Sequence, residues 1–212
     1  MKIDTPKIPE NLTERKFTDI FDEEYLEFEM CMVTDSEFID EVLDQRVRLY
    51  KTVIRNCNFA NTNFSRMDLT DVRFENCDLS NANLDNSSMN RVEFLNCKLL
   101  GTSLTESYIG NTIFGESILN MVTFFNSKLE KVIFDEARLE SADLFDCKLK
   151  KVEFLSCNLN GASFEDTLLK GIDISSSNFD TLIVTMENLK GCIVSSSQAI
   201  YFASLLGLKI KQ

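Results

Sequence analysis

The sequence predicts an all-β solenoid, a stack of square coils finished by a short C-terminal helix. Three observations carry that prediction. Large apolar residues recur every five positions, small residues recur at the same period two positions earlier, and individual residue preferences return every twenty. A period of five matches neither the 3.6 of a helix nor the 2 of a strand. It describes a chain that turns a corner every five residues and points two residues of each unit inward.

Residues 1–25 are expected to form an N-terminal segment or cap. The opening MKIDTPKIPENLTERK is polar and has no apolar stretch of the kind an export signal carries. The repeat body is expected over 26–194. Phe28, Val33, Phe38 and Leu43 already keep the spacing, with Leu26, Cys31, Ser36 and Glu41 two positions before them. Six residues then separate Leu43 from Leu49, so one residue near Arg46, within 44–48, should bulge out. From Leu49 to Val194 all 30 fifth residues are large and apolar. The set two positions earlier, Val47 to Cys192, is small at 26 of 30 sites; Met67, Ile172, Leu182 and Glu187 are the exceptions. Phe74, Phe94, Phe114, Phe134 and Phe154 recur at twenty residues, as do Cys57, Cys77 and Cys97. Four units therefore make one coil, and each coil contacts mainly its neighbours.

Residues 195–212 break the pattern. A serine N-cap at Ser196 or Ser197, the apolar Ala199, Ile200, Phe202, Ala203, Leu205 and Leu206, and Gly207 as a stop predict a short helix. Leu208 and Ile210 then alternate with Lys209 and Lys211 as in a strand. Ten residues are too few to be helical alone, so the helix must pack on something. It could be a lid on the last coil, or a two-fold contact joining two solenoids end to end; we expect the second, with these eight apolar residues as the dimer interface.

Composition excludes several kinds of chemistry. The 212 residues contain 34 acids, 22 bases and no histidine, a net charge of −12. Histidine is the usual acid–base group near neutral pH and the commonest metal ligand. Direct nucleic-acid binding would require a basic surface. All seven cysteines fall on the small inward position, alternating with Ala, Ser and Val, which reads as buried filler and not as disulfides, a metal site or a nucleophile. The lone inward acid, Glu187, reads as local distortion near the last coil. No catalytic residue, metal or cofactor is expected, and no apolar run spans a bilayer. The expectation is a soluble cytoplasmic protein.

Outward residues segregate by face. Beside the Phe74–Phe154 column lie Glu75, Glu93, Glu116, Asp135, Glu136, Glu153 and Asp173, against Arg55 and Arg73. The opposite face carries Asp85, Glu106, Asp143, Asp146, Glu165 and Asp166, against Arg66. Between them lies a basic face with Arg48, Lys51, Arg91, Lys128, Lys131, Lys148, Lys150, Lys151, Lys170 and Lys190. Two acidic stripes on opposite sides of a rod imitate the two phosphate strands of a duplex. About 8.5 coils at ~4.8 Å make a body near 40 Å long, and an end-to-end pair covers the length of roughly 24 base pairs.

The repeats CNFAN (57–61), TNFSR (62–66), CDLSN (77–81), ANLDN (82–86), ADLFD (142–146) and CNLNG (157–161) resemble the pentapeptide-repeat family, whose consensus is A(D/N)Lxx. The resemblance covers about three quarters of the chain. It implies a right-handed quadrilateral β-helix. The acidic rod, the length near 210 and the ending NLKGCIVSSSQAIYFASLLGLKI are similar to the Qnr and MfpA branch. That branch implies binding to DNA gyrase and topoisomerase IV, quinolone resistance, and a homodimer made by the terminal helix. Unbroken phase from Leu49 to Val194 leaves no room for the two loops that interrupt many transferable members, so the loop-free type is the better match. The acidic residues named above are then the partner-binding surface. The competing expectation is a repeat scaffold that binds an unrelated protein through its basic face.

Overall fold

The computed structural model describes residues 1–43 and 45–211. The chain forms a parallel β-solenoid of about 7 turns with one C-terminal helix. Its elements are β1 (Thr13–Arg15), a 3₁₀ helix (Phe17–Asp22), β2 (Glu27–Glu29), β3 (Cys31–Thr34), β4 (Arg48–Arg55), β5 (Asp68–Glu75), β6 (Ser88–Leu95), β7 (Tyr108–Gly115), β8 (Lys128–Asp135), β9 (Lys148–Leu155) and α1 (Ser196–Leu205).

The twenty-residue coil is a register in the structure. Phe74 pairs with Phe94, Phe94 with Phe114, Phe114 with Phe134, and Phe134 with Phe154 across successive parallel strands. Their rings stack at 4.8–5.1 Å between centroids and within 4–8° of parallel. The first coil follows a different step. Phe28 pairs with Leu49 and Glu37 with Asn58, both 21 residues apart, whereas Arg48 already pairs with Asp68 at 20. The step changes between Val42 and Arg48; of the expected bulge at 44–48, Asp44 lies outside the described residues.

Each corner is a residue with left-handed backbone. Positive φ recurs at Lys51, Asn56, Asn61 and Arg66, and every five residues after them as far as Gly171. Asn and Gly, the residues that tolerate this region best, fill many of these places, including Asn76, Asn81, Asn96, Gly101 and Gly161. The Asp or Asn of the repeat has its own task. Asn58, Asp78, Asn83 and Asn158 each accept the amide of the residue two positions on, at 2.8–3.1 Å, and so hold the turn.

The inward small residues do more than fill space. Thr102, Ser127 and Thr167 donate to the carbonyls of Leu79, Leu104 and Leu144 in the preceding coil, at 2.6–2.7 Å. Ser117 accepts the amide of Cys97 at 3.0 Å. Cysteine takes the same posture, with Cys147 Sγ 3.0 Å from the carbonyl of Phe124. That shared bonding geometry explains why Cys, Ser and Thr interchange here, and all seven cysteines are free.

The bore is closed differently at its two ends. Phe17, from the 3₁₀ helix, lies against the rings of Phe38, Phe59 and Phe64 at 4.9, 4.8 and 5.6 Å. At the far end the expected N-cap moves by one residue: it is Ser195, whose hydroxyl accepts the Gln198 amide while Gln198 Oε1 accepts the Ser195 amide. Gln198 Nε2 donates to the carbonyls of Ile174 and Ser177, both at 2.9 Å. Phe202 is buried against Phe179, and the Tyr201 hydroxyl accepts the Leu182 amide. The helix is thus a lid on one side. The strand expected at 208–211 does not form, because no neighbouring strand lies beside it to supply hydrogen bonds. Glu187 is not inward either. Residues 185–191 leave the coil as a turn, and Glu187 is exposed and paired with Lys190 at 2.6 Å.

Candidate functional site

The outward charge is organised by corners more sharply than by faces. The corner after the phenylalanine column begins as an amide ladder, in which Asn76 donates to Asn56 at 3.2 Å and Asn96 to Asn76 at 2.8 Å. Glu116 and Glu136 take the next two places, with left-handed φ of 50° and 52°. The Gly115–Asp135 pairing sets them one coil, about 4.8 Å, apart, and brings Asp135 alongside. All three acids are exposed, and no ion pair reaches them among the described residues.

Ten residues, half a coil, lead from there to the diagonally opposite corner. Glu106, Asp146 and Asp166 occupy left-handed places in it, with Glu165 beside Asp166. These four are also exposed and without an ion pair among the described residues. Phe125 and Phe145 stack next to Asp146 at 5.7 Å, and Phe125 is 39% exposed. A corner that needs left-handed backbone favours Gly, Asn or Asp, so each Glu placed there is a less stable choice by about 1 kcal/mol.

Other acids expected to face a partner are committed elsewhere. Glu75 is 2.7 Å from Arg55 and 3.7 Å from Arg73, and Glu93 is 2.7 Å from Arg73. Glu93, expected outward, is only 7% exposed, because the Arg73 side chain lies over it. Glu153 meets the α-amino group of Met1 at 2.5 Å. Asp143 and Asp173 each accept an amide of their own turn, from Phe145 at 3.0 Å and Ser175 at 2.9 Å. The Ser175 hydroxyl and amide hold the Asp173 carboxyl below the usual carboxylate range. The face beside the phenylalanine column also carries Leu95, Ile113, Ile133 and Leu155, so it is not a continuous acidic sheet.

The basic corner is Lys51, Arg91, Lys131 and Lys151. Arg91 grips Asp71 through two nitrogens at 2.6 and 2.8 Å. Burial alone would raise the Asp71 carboxyl, yet Arg91 and the Lys7 amide hold it below its ordinary value. Residues 1–7 lie along this corner as an extended strap. Asp4 donates its amide to Asn111 Oδ1 at 3.3 Å and sets its carboxylate 3.5 Å from Lys131, and Lys7 donates its amide to Asp71 at 2.9 Å. The segment has no period, so nothing in its sequence announces this docking.

Of the residues expected at a dimer interface, Ala199, Ile200, Leu205, Leu206, Leu208 and Ile210 are exposed, Ala203 is half-buried and Phe202 is spent on the lid. A shallow hollow of about 270 Å³ between Met186, Leu189, Val194 and Leu206 adjoins them. Burial pushes the Cys147 and Cys157 thiols up to about 12 and about 11, which keeps them protonated and unreactive. Among the described residues no group of three or more acids and thiols could hold a metal, and no helix is long and apolar enough to cross a membrane.

A family model described as a pentapeptide repeat region matches residues 48–124 and 87–164. No curated protein matches the chain. Among solved structures, QnrB1, a plasmid-mediated fluoroquinolone resistance protein, aligns at 23% identity with a TM-score of 0.53, over 85% of this chain and 90% of its own. HetL from the cyanobacterium Nostoc, involved in heterocyst differentiation regulation, aligns at 15% identity with a TM-score of 0.54, over 84% and 91%. At these identities the likeness is one of fold.

Proposed function

The chain belongs to the pentapeptide-repeat family, and from that premise we propose that it is a DNA-mimicking protein of the Qnr and MfpA kind. It binds DNA gyrase or topoisomerase IV, inhibiting the enzyme, protecting it from quinolones, or both. One observation carries the reading: two columns of unpaired carboxylates stand on diagonally opposite corners of a rigid square rod. An enzyme groove that holds duplex DNA presents positive charge to two separated rows of phosphates. The columns Glu116–Asp135–Glu136 and Glu106–Asp146–Asp166 offer it two rows of carboxylates, with Glu165 and the Phe125–Phe145 pair at one edge.

About 7 turns at ~4.8 Å give roughly 34 Å, and an end-to-end pair about 68 Å, equivalent to some 20 base pairs. The exposed apolar face of α1 is the surface that would join such a pair. A topoisomerase partner also implies a cytoplasmic location. Binding driven by carboxylates in a basic groove should weaken steeply as salt rises. The test is gyrase supercoiling with purified protein at micromolar concentration, with and without ciprofloxacin. Inhibition or protection supports the reading, and unchanged supercoiling in both arms defeats it.

A further inference from the structure

The N-terminal strap and the corner beneath it share a register. Asn111 and Asp71, which accept the amides of Asp4 and Lys7, lie 40 residues or two coils apart, about 9.6 Å. Three residues of extended chain span about 10 Å, so strap and stack stay in step. Cations follow the same two-coil spacing: Lys51, Arg91 and Lys131 are each 40 residues apart. The strap places its one acid, Asp4, on Lys131. Its hold on the rod is polar, and no residue of 1–7 is fully buried. In the strand where Met1 ends the strap on Glu153, and one coil further, Lys148, Lys151 and Lys170 are exposed and carry no ion pair among the described residues.

We infer that this corner is a docking strip for an extended acidic peptide, and that residues 1–7 are its built-in competitor. The strip reads backbone through side-chain acceptors at two-coil intervals and carboxylates through the cations at the same interval, of which the middle one, Arg91, already grips Asp71. A segment with an acid at every third residue meets both demands, and the uncovered lysines give it a foothold before the strap lifts. This surface lies between the two acidic corners and stands independently of the gyrase reading.

The probe is a fluorescein-labelled nonapeptide with Asp at every third position, with a control of the same composition whose three Asp are consecutive. If the strap occupies the strip about nine-tenths of the time, Asp4→Lys should tighten spaced-peptide binding about tenfold. Lys131→Glu in that background should abolish it, and saturating peptide should speed hydrogen exchange at the Lys7 amide in the parent chain. Equal affinity for parent and Asp4→Lys would overturn the competitor role. Equal affinity for the two peptides would overturn the register. Absence of binding to Asp4→Lys at millimolar peptide would overturn the strip itself.

Discussion

Replacing Glu116 and Glu136 together with asparagine should make the protein more stable and less able to act on gyrase. Both residues sit in left-handed backbone, at φ of 50° and 52°, where asparagine is better tolerated; relief is about 0.5–1 kcal/mol at each. Removing two like charges one coil apart adds up to about 1 kcal/mol in water. The corner already shows what asparagine does there, since Asn56, Asn76 and Asn96 bond amide to amide; the two exposed rungs gained together contribute about 0.5–1 kcal/mol. The sum is about 2–3 kcal/mol. With a urea dependence near 2 kcal/mol/M, the unfolding midpoint should rise by about 1 M. In the supercoiling assay the concentration needed for a given effect should rise about tenfold or more. A midpoint that falls would refute the backbone argument. A midpoint that rises with full activity retained would refute the role of this corner.

Four further outcomes are expected. Native protein at pH 8 should resist thiol reagents at Cys147 and Cys157, whose thiols titrate near 12 and 11, and should react once unfolded in urea. Asp71 has a lowered folded value, so its pairing with Arg91 stabilises the fold fully above the ordinary carboxylate range near 4, and that stability is lost as pH falls through the lowered value; urea midpoints of Asp71→Asn and parent should therefore converge towards acid pH. Leu205→Ser with Leu206→Ser should give a monomer by light scattering with the fold intact, whereas Gln198→Ala should cost about 1–3 kcal/mol by taking the side-chain donor from the Ser177 carbonyl and leaving that of Ile174 with the Ser177 amide alone. A dimer that survives the double serine variant would count against end-to-end pairing through α1.

The repeat body was legible because its signal is redundant. Thirty positions at one period leave no competing fold, and the phenylalanine column is visible as a twenty-residue echo. The six-residue step between Leu43 and Leu49 appears in the structure as a 21-residue pairing followed by a 20-residue one. What escaped is what happens once per chain. Phe17 enters the bore from a segment with no period. Gln198, a polar residue beside the apolar ones of the helix, is the group that ties the helix to the last coil. Assigning charges to faces treated Glu93 and Glu116 alike; only side-chain packing shows the first under Arg73 and the second in solvent. The left-handed places were readable in principle, since Asn and Gly recur two residues after many of the large inward ones.

The two unlike ends of the rod govern what it can build. One end is stoppered by Phe17 and bordered by Glu23, Glu24 and Glu27, with Glu23 paired to Arg15 and Glu27 to Arg48. The other exposes Ile200, Leu205 and Leu206. Joining like apolar ends would cover the exposed face of α1 in a single closed event, whereas stacking stoppered end on apolar end would repeat without limit and yield a filament. A β-solenoid is always one unprotected rim away from fibre growth. In the proposed pair, an aromatic stopper at each outer end would halt growth at that first union.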